Sequence, residues 1–135
     1  MVATASNRAI VVLAFVLLSL ASLAPRGAAA ILEPVDVGWD RYFRLDWKAS
    51  TRHGQPVVNG YVSNTSPYPV NQIRLLVDAL SATGEIVGQK ISWVVGSDLG
   101  PFGRVYFEVP APPDASSTYR VRVFSFDRAE IGTKR

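Results

Sequence analysis

From residue 43 onward, apolar and polar side chains alternate along the chain, and clusters of Gly, Pro, Asn, Asp and Ser interrupt them at intervals of roughly ten residues. Successive side chains of a strand point to opposite faces, so this alternation predicts half-buried strands. In residues 43–48, Phe43, Leu45 and Trp47 share one face, with Arg44, Asp46 and Lys48 on the other. Arg52-His53-Gly54-Gln55 supplies a turn, residues 58–62 a second strand, and the stretch from Asn64 to Pro69 its end. Residues 73–79 aim Ile73, Leu75, Val77 and Ala79 one way and Arg74 and Asp78 the other. Ser81-Ala82-Thr83-Gly84 reads as a hairpin turn, with glycine where a positive φ is tolerated. It leads to a fourth strand within 85–95, and a fifth follows at 105–109. Pro110, Pro112 and Pro113 cannot continue a ladder, because proline has no N–H to donate.

The last strand, 119–126, turns Tyr119, Val121 and Val123 inward in the simplest register. Phe124 and Phe126 then fall on the face of Arg120 and Arg122. Either a bulge shifts the register or that face is partly covered. Residues 34–39 are the candidate for a seventh strand. After residue 30 no segment holds a helical period over ten or more residues. The expected fold is therefore all-β, an immunoglobulin- or fibronectin-III-like antiparallel sandwich of six to seven strands. Gly60 lies between the inward Val58 and Val62, which predicts a neighbouring aromatic, Trp47 or Trp93, packed on its backbone. Asn64 is placed to close its strand end with side-chain-to-backbone hydrogen bonds.

The N-terminus follows another pattern. Arg8 precedes an apolar run over residues 9–24, and Pro25, Arg26, Gly27 and Ala28-Ala29-Ala30 follow it. A basic start, a short apolar run and an A-x-A end are the parts of a secretory signal helix, with cleavage expected after Ala30. An uncleaved anchor needs about 20 apolar residues, and Pro25 interrupts this one early. The expected division is residues 1–30 as signal, 31–42 as N-terminal segment or first strand, 43–128 as sandwich and 129–135 as tail. Membrane contact is expected only through the signal, were it uncleaved.

Composition narrows the chemistry. The chain has no cysteine, which removes disulfides, thiol chemistry, lipoprotein anchoring and cysteine-based metal sites. The formal charge is +3, but Arg8 and Arg26 belong to the signal. The remainder has twelve basic and eleven acidic residues, too balanced for nucleic-acid binding.

The order of Val58-Asn59-Gly60-Tyr61-Val62-Ser63-Asn64, an apolar strand, the turn ending Gly84-Glu85-Ile86-Val87, the loop Gly100-Pro101-Phe102-Gly103 and Tyr106-Phe107-Glu108-Val109 resembles the FxLYD-type and related exported bacterial domains. The likeness spans roughly residues 57–126. Where the naming motif falls, this chain has Val77-Asp78-Ala79-Leu80-Ser81 and lacks the Tyr-Asp pair. The resemblance implies an exported sandwich and no enzymatic activity.

His53, the single histidine, lies in a turn with no Ser or carboxylate arranged around it. Asp36, Asp40 and Asp46 lack the spacing of a calcium loop, so no metal or cofactor is expected. Asn64-Thr65-Ser66 matches a glycosylation sequon, but Pro67 follows and makes it incidental. Arg120 and Arg122 read as an ordinary half-exposed strand face. Trp39, Tyr42 and Tyr68 are the candidate binding residues, because aromatics in loops or at sheet edges mark contacts; packing of Trp39 and Tyr42 on the core is the alternative. The expected role is a non-enzymatic interaction module, periplasmic or extracellular, contacting an envelope protein by a sandwich face or an added strand. A carbohydrate-binding sandwich would instead need a coplanar aromatic pair, and a small hydrolase would need converging polar side chains.

Overall fold

Side-chain alternation becomes six strands: β1 (Phe43–Arg52), β2 (Gln55–Asn64), β3 (Val70–Leu80), β4 (Ile86–Trp93), β5 (Arg104–Pro110) and β6 (Thr118–Arg128). The computed structural model describes residues 30–96, 98–113 and 118–129, all but Ala30 in the compact unit Ile31–Arg135. The expected signal at 1–30 lies outside the described residues apart from Ala30, as does the tail apart from Ala129.

All pairings are antiparallel, in two three-stranded sheets ordered β1-β2-β5 and β4-β3-β6. They are named here by their central strands. Phe43, Val58, Val62, Phe107 and Val109 of the β2 sheet share one core with Ile73, Leu75, Val77, Val121 and Val123 of the β3 sheet. Each such side chain contributes about 1.5–3 kcal/mol by leaving water. The β1–β2 hairpin turns on His53 and Gly54, at φ 52° and 76°, the positive pair that matches strand twist.

Between β3 and β6 the register slips by one residue at Phe124 and slips back between Arg74 and Asn71. Leu75 faces Val123 and Arg74 faces Ser125, which leaves Phe124 extra. This bulge returns Phe126 to the inside, where its ring meets Phe43 edge-on at 4.8 Å. Phe124 stays outside, against Arg74. The bulge and the partial cover expected for this face therefore both occur.

The seventh strand does not form. Pro34 has no N–H, and Val35 makes a single backbone bond, N to Phe124 O at 2.8 Å. Asp36 then turns the chain by accepting from Gly38 N through Oδ1 at 2.9 Å and from Trp39 N through its carbonyl at 3.2 Å. A 3₁₀ turn at Trp39–Arg41 follows and delivers the chain to β1.

Asn64 is buried and uses its whole amide. Nδ2 donates to Tyr68 O at 2.7 Å and Gly100 O at 3.1 Å, while Oδ1 accepts from Ser66 N at 3.0 Å and Ser66 Oγ at 2.7 Å. Two loops are thereby tied to one strand end, and the sequon's asparagine is committed internally.

Gly60 serves a closer approach than the expected aromatic packing. A Cβ there would lie 1.8 Å from Asp46 O and 2.6 Å from Trp47 Cα, which are β1 backbone. Gly60→Ala forces β1 away and costs about 3 kcal/mol or more. Urea unfolding of the variant against the parent chain checks this.

Candidate functional site

The two sheets present very different outer faces. On the β3 sheet, Asp78 lies on the solvent side, as its alternation predicts, yet it is fully buried. Its neighbours explain this. Gln89 Nε2 donates to Oδ1 at 2.8 Å; Arg120 Nε at 2.9 Å and Arg122 Nη2 at 2.7 Å donate to Oδ2. An isolated carboxylate cannot be buried cheaply, but two guanidiniums and an amide replace its water.

The N-terminal segment covers this group as a strap. The Gln89 amide brackets Leu32, accepting from its N–H at 2.8 Å and donating to its carbonyl at 2.9 Å. Glu33 Oε1 takes Arg122 Nη1 at 3.0 Å, and Val35 reaches β6 at Phe124. The strap thus crosses from β4 to β6. It corrects the reading of Arg120 and Arg122 as an ordinary half-exposed pair, because the Arg122 side chain is only 15% exposed against 44% for Arg120. Beyond the strap, Arg74 lies 5.1 Å from both the Trp93 and Phe124 rings and donates to Ser125 Oγ at 2.8 Å.

Among the described residues the β2 sheet carries no such cover. Its outward residues form cross-strand rows: Arg44–Ser63–Arg104, Asp46–Tyr61–Tyr106 and Lys48–Asn59–Glu108. Tyr61 and Tyr106 are 37% and 49% exposed. Their rings meet at 5.5 Å and 71°, and Arg104 stands 4.2 Å over Tyr61. Asn59 Nδ2 donates to Tyr106 Oη at 3.0 Å, while Asn59 Oδ1 is buried with no partner among the described residues. Arg52 binds Glu108 through both guanidinium arms. The hydrogen bond from Arg52 holds the Glu108 carboxyl below its ordinary range, and the same bond raises Arg52.

Trp39, Tyr42 and Tyr68 do not form one surface. Trp39 and Tyr42 pack partly buried against the core. Tyr42 meets Phe126 at 5.3 Å and accepts from Arg128 Nη1 at 3.2 Å, and the exposed Tyr68 lies 4.6 Å from the same guanidinium. Arg128 therefore joins Tyr42 and Tyr68 and leaves Trp39 apart. Tyr61 and Tyr106 were missed as candidates, although they alternate with inward valines and so had to face outward. Among the described residues, no group of three or more His, Asp or Glu could hold a metal, and no helix is long and apolar enough to cross a membrane.

The Asp78 cluster yields a sharp test. Asp78→Asn keeps the shape but strands two guanidiniums, one of them largely buried, and breaking such a pair costs about 3–5 kcal/mol. Chemical unfolding measures the loss, and faster proteolysis near Leu32 is expected beside it because the strap loses its fastening.

Comparison with protein-family models, curated proteins and solved structures finds no match for this chain.

Proposed function

We propose that this chain is an exported, non-enzymatic binding module that contacts a protein partner in the bacterial envelope through the open face of its β2 sheet. The observation that carries the reading is the Tyr61–Tyr106 pair with Arg104 stacked above it. Tyrosine and arginine are enriched where interfaces hold their binding energy, since they offer large contact area with polar ends. The edge-to-face angle of 71° leaves no flat platform for a sugar ring, which favours a protein over a carbohydrate partner.

The immunoglobulin-like reading draws support from strand order. Lettered in chain order, β1, β2 and β5 correspond to strands A, B and E, and β4, β3 and β6 to C′, C and F. Tyr119, at the start of β6, donates from Oη to Pro112 O at 3.1 Å. That bond has the form of the tyrosine corner of such sandwiches, which supports the reading. Both features agree with the resemblance to exported FxLYD-type domains. Export rests on the signal pattern before Ile31.

The test is a capture experiment in the native host, with the full chain tagged at its C-terminus, cross-linked in intact cells and read by mass spectrometry. A bait beginning near Ile31 and one reproducible envelope partner are expected. Recovery of that partner should fall about tenfold or more in Tyr61→Ala/Tyr106→Ala, with an unchanged thermal midpoint. Equal recovery from the variant overturns the tyrosine face, and a bait beginning at Met1 overturns cleaved export.

A further inference from the structure

We infer that the β2 face takes an acidic segment of its partner, which sets one carboxylate on Arg104, another on Lys48 and an apolar side chain between them at Tyr61. This rests on the reading of that face as the binding surface and adds the chemistry of what binds there.

The outward rows of this face carry four cations, Arg44, Lys48, Arg52 and Arg104, and two carboxylates, Asp46 and Glu108. Glu108 is taken by Arg52. Asp46 lies 3.9 Å from Arg44. Arg104 and Lys48 are exposed, and neither has a carboxylate partner among the described residues. The face thus holds a surplus of two positive charges, whereas the whole chain after residue 30 has a surplus of one. The rest of that stretch therefore sums to one negative side-chain charge at neutral pH. The positive field belongs to this one face, and such a field steers a partner of opposite sign toward it.

The two unpaired cations stand at opposite corners. Arg104 is on edge strand β5, in the row of Arg44 and Ser63, and Lys48 is on edge strand β1, in the row of Asn59 and Glu108. Two strand spacings and four residues separate them, roughly 16 Å between backbones. Tyr61 lies midway on that diagonal, on the central strand in the middle row, with Tyr106 beside it. An open depression of about 450 Å³ lies there, and its lining includes Lys48, Asn59, Tyr61 and Tyr106. Arg104 already rests 4.2 Å over the Tyr61 ring, so little ordering is left for a partner to impose on it. An extended segment of five residues spans about 13 Å, and side-chain reach covers the rest of the diagonal. Its first, third and fifth side chains point the same way, so two carboxylates and one apolar group face the sheet together. A polypeptide also brings N–H groups, and Asn59 Oδ1 lacks a donor among the described residues. The phosphates of an anionic lipid surface bring only acceptors to that atom.

The probe is fluorescein-labelled poly-L-glutamate, titrated into the protein as purified from its native host and followed by anisotropy and backbone amide shifts. Saturable binding is expected at about 50 mM salt, with its loss by about 0.5 M. The shifts should centre on residues 46–48, 59–63 and 104–106. Arg104→Ser/Lys48→Ser should bind about tenfold weaker or worse, with an unchanged thermal midpoint because both side chains are exposed. Arg41→Ser/Lys90→Ser removes the same charge from other exposed positions and should bind like the parent. No binding, equal binding by Arg104→Ser/Lys48→Ser, or shifts away from the β2 sheet overturns the assignment. Tighter binding to phosphatidylglycerol vesicles with the same shifts also overturns it, by placing a lipid surface on the face. The native partner separates this inference from the reading beneath it. Loss of that partner by both Tyr61→Ala/Tyr106→Ala and Arg104→Glu/Lys48→Glu is expected. Loss by the tyrosine variant alone leaves the face standing and overturns the acidic segment, whereas retention by both variants overturns the face itself.

Discussion

Phe124 is an extra residue in the ladder until β3 restores the register between Arg74 and Asn71, and the way the chain absorbs it connects the inside of the domain to its outside. Without the extra residue, strict alternation would carry Phe126 onto the solvent face and strand an aromatic ring. With it, Phe126 reaches Phe43 in the core, while Phe124 and Ser125 stay outside to hold Arg74. The carbonyl of Phe124 then receives the strap through Val35. Bulges bend a strand and re-aim its side chains. This one lets a single strand serve the core, the Arg74 stack and the N-terminal cover.

The consequence is asymmetry. The β3 sheet hides its outer face under the strap and neutralises Asp78 there with two arginines and a glutamine. The β2 sheet, among the described residues, leaves its outer face exposed, with Tyr61 on its central strand and Tyr106 on an edge strand. At the edge of the β3 sheet the proline segment packs on β4, where Pro112 lies against Gly88. Each difference comes from local chemistry: the missing N–H of proline, the missing Cβ of Gly88, the cost of an unpaired carboxylate. Together they leave the two sheets with unlike outer faces, one covered and one exposed among the described residues.

Much of this was legible in the sequence. Alternation gave all six strands, because period-two patterning follows directly from a half-buried pleat. Asn64 was recognisable as a strand-end cap, and Phe124 and Phe126 announced a register problem. Other features are spatial and left no pattern. Asp78 looked solvated because its strand neighbours alternate correctly; the strap and arginines that bury it come from residues 45 or so positions earlier and 42 and 44 positions later. Residues 34–39 alternate like a strand, but among the described residues they bond a neighbouring strand once, Val35 N to Phe124 O, and otherwise bond locally, so they turn. Gly60 pointed to close packing, but only the ladder tells that the close neighbour is backbone. Tyr61 and Tyr106 could have been chosen from the outward row, whereas Trp39 drew attention by its type and lies against the core.

Residue-resolved amide hydrogen exchange on the free protein tests most directly the claim that the strap covers the outer face of the β3 sheet. The account predicts slow exchange at Leu32 and Val35, whose amides bond Gln89 and Phe124, comparable to the centre of β3. Fast exchange at Leu32 and Val35 beside a protected β3 would contradict it.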